Sequence, residues 1–199
     1  MRFTLTAALI LALSTLTSAC SMSTQHVDTK KNPNPKMRYE VTLTIENAPG
    51  PFDSVTGYLQ YDVTNAACVP ETGPSWNRMR IPPEKNPEIV FTKVTNNVYK
   101  ATVFGDYFQD EDYFGLGVCR WSLMLTTARL KVNKAMLDAS LPAEDLFSQK
   151  SATTSFVRQD YLDNDTERFP SGFTDLSNFP TIKRENTFSV TLSAKESFQ

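Results

Sequence analysis

The sequence predicts an all-β domain: a β-sandwich, with a small β-barrel as the alternative, carrying one short helical segment and one disulfide. Three observations lead there. From Arg38 onward apolar residues recur at every second position, the period of a half-buried strand. The twelve prolines fall between these alternating runs and never inside one, as a hydrogen-bonded ladder requires. Six or seven such runs follow one another with turn signals between them, the pattern of a sandwich.

The runs are read in chain order. In RYEVTLTI, Tyr39, Val41, Leu43 and Ile45 share one face while Glu40, Thr42 and Thr44 take the other. TGYLQYDVT repeats the alternation with Leu59, Tyr61 and Val63. EIVFTKV is the next strand, and the Asn96-Asn97 turn leads from it into VYKATVF. The long run VCRWSLMLTTARLKV gives a fifth strand, SATTSFVR a short edge strand, and TFSVTLSA the last. Only KAMLDASLPAEDLFSQK reads as helical, with Pro142 limiting it to a turn or two on either side.

Ahead of these runs the chain has a different character. Met1 and Arg2 precede TLTAALILALSTL, whose length suits the apolar part of a secretory signal and falls short of the ~20 residues of a membrane span. Residues 1–19 are therefore expected as a signal peptide. The run stops at Cys20, and TSAC resembles the lipobox of bacterial lipoproteins, with Thr17 at the place where a lipobox typically carries leucine. The resemblance implies acylation of Cys20. Residues 20–36, SMSTQHVDTKKNPNPK behind the lipidated cysteine, can bury almost nothing and are expected as a flexible tether. Residues 37–199 form a single domain.

Cysteine parity agrees. The chain has three cysteines, and an odd count in an exported protein leaves one thiol over. With Cys20 acylated, Cys68 and Cys119 are left as a pair, closing a loop of about 50 residues worth roughly 3–5 kcal/mol. Trp121 lies two residues beyond Cys119 and on the same face, so it is placed to pack beside the bond.

Composition narrows the chemistry. A 199-residue chain with 40% hydrophobic and 11% aromatic residues can fill one core. Its formal net charge of -2 offers no basic excess for phosphates, which argues against nucleic acid as a partner. No polybasic cluster reaches for anionic lipid either, so the acyl chains would be the membrane attachment. The single histidine is His26, in the tether, so the body lacks the base of Ser-His-Asp and Cys-His systems and any His zinc ligand. Asp163, Asp165 and Glu167 open like a calcium loop, but Arg168 stands where the turn glycine belongs and Thr174 where the bidentate glutamate belongs. A solvated acidic loop is expected there, with no metal and no cofactor. A binder is expected, not an enzyme.

Two segments look fit for binding. In GDYFQDEDYFGLGVCRW, Tyr107, Phe108, Tyr113 and Phe114 alternate with Asp106, Asp110, Glu111 and Asp112. Aromatics supply contact area and acids steer a basic partner; the alternative is a connection whose aromatics fold back on the core. In ETGPSWNRMRIPPEKNP, Trp76 stands beside Arg78 and Arg80, a hot-spot composition. The candidate partner-binding residues are thus Tyr107, Phe108, Asp110, Glu111, Asp112, Tyr113, Trp76 and Arg78.

VTLTIENAPGPFDSVTGYLQYDV and DEDYFGLGVCRW resemble small lipoproteins that accompany type VI secretion phospholipase effectors in Gram-negative bacteria. The likeness spans residues 38–129. It implies an immunity protein in the periplasm that binds and inhibits the effector and so protects the producing cell. Ser21 after the cysteine, by resemblance to sorted lipoproteins, implies the outer membrane. The alternatives are a lysozyme inhibitor and a structural envelope lipoprotein.

Overall fold

In the computed structural model, which describes residues 28–179 and 181–197, alternation becomes burial. Tyr39, Val41, Leu43 and Ile45 of β1 (Arg38–Glu46) are buried, and the residues between them are not. The same rule shapes β2 (Ser54–Val63), β8 (Val98–Phe104), β10 (Ala135–Pro142), β11 (Ser151–Val157) and β12 (Thr187–Glu196). Short strands lie between β2 and β8: β3 (Glu71–Thr72), β4 (Met79–Arg80), β5 (Glu84–Lys85), β6 (Glu88–Val90) and β7 (Thr92–Lys93). The longest strand is β9 (Trp121–Val132).

Two antiparallel sheets result. One has the order β11-β12-β1-β8-β7; the other has the order β10-β9-β2-β5, with β6 also on β2. β3 and β4 form a separate hairpin. The sheets face each other without closing, so the fold is sandwich-like and not a barrel. Leu43, Leu59, Leu130, Leu137 and Leu192 are among the side chains that fill the space between them. The outer face of the first sheet carries hydroxyls instead: Thr153 pairs with Thr191 and Thr191 with Thr44, and the two threonine hydroxyls of β11 and β12 lie 2.9 Å apart.

Three elements differ from the sequence reading. KAMLDASLP is strand β10, not helix. Asn133 takes a left-handed φ of 47°, turning β9 back on itself so that Val132 pairs with Ala135. Ala135, Leu137, Ala139 and Leu141 then alternate into the core, and only α1 (Ala143–Phe147) is helical. A second short helix, α2 (Arg158–Leu162), follows β11. EIVFTKV is two strands, because the chain leaves one sheet after β6 and joins the other at β7, burying Phe91 at the crossing. Gly57 makes room for that ring: a Cβ there would lie 2.8 Å from the ring of Phe91 and 2.6 Å from the carbonyl oxygen of Thr127.

A bulge near the start of β9 sets up the rest. The pairing of β2 with β9 shifts between Gln60 and Tyr61, which leaves Met124 unpaired and exposed. The extra residue switches parity, so Trp121 and Leu123 join Thr126, Ala128, Leu130 and Val132 in facing the core. Just before β9, Cys119 is bonded to Cys68, with their Cα atoms 5.3 Å apart. Both cysteines and Trp121 are buried together.

Candidate interaction surface

The disulfide gathers two excursions at one end of the sandwich. After β2 a single 3-10 turn, Ala66–Cys68, leads into the β3–β4 hairpin. After β8 the chain runs through 105–120 before entering β9. Asn65 ties the two together beside the disulfide: its side-chain amide donates to the Val118 carbonyl at 2.8 Å and its oxygen accepts from Arg120 N–H at 2.7 Å. The hairpin is held at its base by Arg80, whose guanidinium donates to the carbonyls of Ala67 and Val69 and meets Glu71 at 3.4 Å. Arg78 is more exposed and only 3.9 Å from Glu71.

At the hairpin tip Gly73, with φ of 97°, and the Asn77 N–H to Pro74 carbonyl bond of 2.9 Å turn the chain. Trp76 projects there, 86% exposed. Met79 and Ile81 are also exposed on this excursion, and Leu116 and Val118 on the other. The last two were not singled out by sequence reasoning. The signal was present in GLGV: Gly115 and Gly117 both take positive φ, which turns the intervening leucine out of the chain's path.

Of the two readings of the 106–114 segment, a binding face or a connection whose aromatics fold back on the core, its first aromatics follow the second. Tyr107 stacks on Tyr61 at 5.9 Å, and Phe108 packs edge-on against Tyr61 at 5.1 Å and tilted against Trp121 at 5.2 Å. These aromatics extend the core. Tyr113 is half-buried, its hydroxyl donating to the Gln109 carbonyl at 2.7 Å. The acids bind the protein's own groups. Asp110 accepts from Trp121 N–H at 2.9 Å, Glu111 pairs with Lys30 at 2.7 Å, and Asp112 caps the N–H groups of Phe114 and Leu116.

The partner of this segment is the chain's own amino-terminal part. Residues 28–36, read as tether, are not free: Asn32 N–H donates to the Tyr107 carbonyl at 2.8 Å and Gln109 N–H to the Lys30 carbonyl at 3.0 Å. Asp106 accepts from the N–H groups of Lys36 and Met37, and the Lys31 ammonium lies 5.4 Å above the Tyr107 ring. Short backbone pairing and a charge on an aromatic face outweigh the low hydrophobicity on which the tether reading rested. Cys20 and His26 lie outside the described residues.

Where β6 approaches β8, the sheets part and leave a cleft of about 480 Å³. The buried Leu59 and Ala101 lie at its base, Phe104 and Tyr107 also line it, and the more exposed Glu40, Glu88 and Lys100 stand at the lips. A second cleft, about 460 Å³, lies between the amino-terminal segment, Trp121 and Phe147. Its two acids, Asp106 and Asp110, already accept backbone N–H groups as described above.

Arg168 offsets part of the charge at the acidic loop. Arg168 reaches Asp160 at 2.5 Å and Asp163 at 3.6 Å. Burial raises the Asp160 carboxyl above its usual range, and the Arg168 charge partly offsets this. Among the described residues no group of three or more His, Cys, Asp or Glu side chains is placed to hold a metal ion. No helix among them is long and apolar enough to cross a membrane. No protein-family model, curated protein or solved structure matches the chain.

Proposed function

We propose that this protein is a lipid-anchored immunity protein of the bacterial periplasm, which binds and inhibits a phospholipase effector of a type VI secretion system. The observation that carries the binding half is Trp76: a large aromatic, 86% exposed, on a hairpin braced by Arg80 and by the neighbouring disulfide. Such a side chain loses little freedom on docking, and affinity concentrates in anchors of this kind. The flanking Arg78 guanidinium is free enough to meet a carboxylate of the partner. Export, acylation of Cys20 and attachment to the outer membrane belong to the same reading and rest on the signal segment and the TSAC sequence. The identity of the partner rests on the resemblance of residues 38–129.

The test uses the full-length protein with Cys20→Ser, mixed with a candidate phospholipase effector encoded beside it. The expected result is a complex that survives gel filtration and loss of phospholipid hydrolysis at stoichiometric protein. Trp76→Ala, which removes an exposed side chain and leaves the melting temperature unchanged, is expected to weaken the complex by about 2 kcal/mol or more. Full hydrolysis in excess protein ends the immunity reading. Inhibition of lysozyme in a parallel assay would replace it with the lysozyme-inhibitor alternative.

A further inference from the structure

The backbone of β8 is paired on one side along its whole length and on the other side only in its first half. Ile45 N–H donates to the Asn97 carbonyl at 2.8 Å, and Gly105 N–H donates to the Met37 carbonyl at 2.8 Å. In an antiparallel ladder hydrogen-bonded pairs recur every second residue, so odd-numbered residues of β8 bond to β1. Even-numbered ones turn their amides to the opposite edge. There Val98 is taken by Val94 and Lys100 by Thr92. Beyond Lys100 the covering strand is gone, because the chain crosses between the sheets at Phe91.

Thr102 therefore presents both N–H and C=O to the cleft, and Phe104 presents N–H; the Phe104 carbonyl is taken by the Tyr61 hydroxyl. Thr102 is exposed. Two other outer strands are partly covered where the chain folds over them: Ser155 of β11 exchanges two 2.8 Å bonds with Phe173, and Met136 of β10 donates to the Arg168 carbonyl at 3.0 Å. Among the described residues, the unpaired edge at Thr102 and Phe104 lines the same cleft as the buried Leu59 and Ala101. The lips carry charge. Lys100 is held by Glu40 at 2.7 Å, while Glu88, exposed on β6, has no ion pair among the described residues. One negative charge is left over.

We propose that this edge takes an extended peptide segment of a partner protein as an added strand. Main-chain bonds to Thr102 and Phe104 set the register, an apolar side chain of the guest rests on Leu59 and Ala101, and a basic one meets Glu88. Strand addition of this kind draws affinity from the backbone and specificity from alternate side chains. The occupant presupposes that the chain binds protein, as proposed above, but requires neither lipidation nor a phospholipase.

The test uses the full-length Cys20→Ser protein and linear dodecapeptides selected on it from a phage-displayed library. The synthesised best binder is expected to slow hydrogen exchange at the Thr102 and Phe104 amides by about ten-fold or more. Thr102→Pro removes an N–H that the fold does not use and is expected to weaken binding at least about ten-fold, the worth of one good hydrogen bond. Glu88→Lys, a surface change that spares the strand, is expected to weaken the same peptide most at low salt. Trp76→Ala is expected to leave it unchanged.

An empty selection, a footprint away from Thr102, or occupation of the edge by a second copy of this chain would each overturn the assignment. Against the effector the two readings fail separately. Binding that survives both Thr102→Pro and Glu88→Lys sinks strand addition and leaves the immunity reading standing. Peptide binding without effector binding does the reverse.

Discussion

Tyr61 is a buried phenol in the wall between the sheets, and its hydroxyl is spent on the carbonyl of Phe104. That carbonyl ends β8 and has no strand partner, so the hydroxyl is what satisfies it. Tyr107 and Phe108 surround the ring. Tyr61→Phe keeps the ring contacts and removes the donor. The expected cost is about 1–2 kcal/mol, read as a lower urea midpoint with an unchanged slope. The sequence showed Tyr61 as an inward residue of an alternating strand, and it is one. It could not show the bond to Phe104, because the partner lies in another sheet and 43 residues away.

Among the elements, the excursions at the disulfide end depend most on a single bond. Cys68 and Cys119 are 51 residues apart, so removing the bond restores about 4 kcal/mol of loop entropy to the unfolded chain. Cys119→Ser with Cys68→Ser is expected to lower the melting temperature and to raise protease cutting within 64–83 and 106–120 before the rest of the body is cut. Equal stability with and without reductant would show that the bond is not formed.

The bond was legible from parity, and most strands were legible from alternation. KAMLDASLP was not, because Ala, Met, Leu and Lys are good helix formers and its strand character comes from pairing with β9. The β6–β7 crossing was hidden for a related reason: a continuous apolar run does not say that the chain changes sheets. Among the candidate interaction residues, Trp76 stood out by composition and is exposed. Tyr107 and Phe108 stood out equally and are turned inward, since sequence marks an aromatic and not the side it faces.

Across the whole molecule the tyrosines give the fold a pH limit. Burial pushes the phenols of Tyr39, Tyr61, Tyr113 and Tyr161 above their ordinary range, Tyr61 furthest. In the unfolded chain these groups release protons near about pH 10, while the folded chain still holds them. Above that point the unfolded state binds fewer protons than the folded one, so stability falls as pH rises. Urea midpoints measured from about pH 9 to about pH 12 are expected to fall, and Tyr61→Phe is expected to show the shallower decline. Parallel curves for the two proteins would mean that Tyr61 titrates freely.

The amino-terminal segment also decides how the molecule bears a load. It runs antiparallel to 107–109 and then continues into β1, which is paired along its length with β8 on one edge and β12 on the other. Tension applied through residue 28 first meets the short pairing of Lys30 and Asn32 with Gln109 and Tyr107. Beyond it the pull runs along the axis of β1, so the bonds on both edges are sheared together instead of being opened one at a time. Tension on the carboxy-terminal end would reach β12, whose last residues lie beside Arg38 and whose neighbour β11 is shorter. A molecule held by its amino-terminal end is thus gripped through the middle strand of a sheet, the place from which a strand is hardest to draw out.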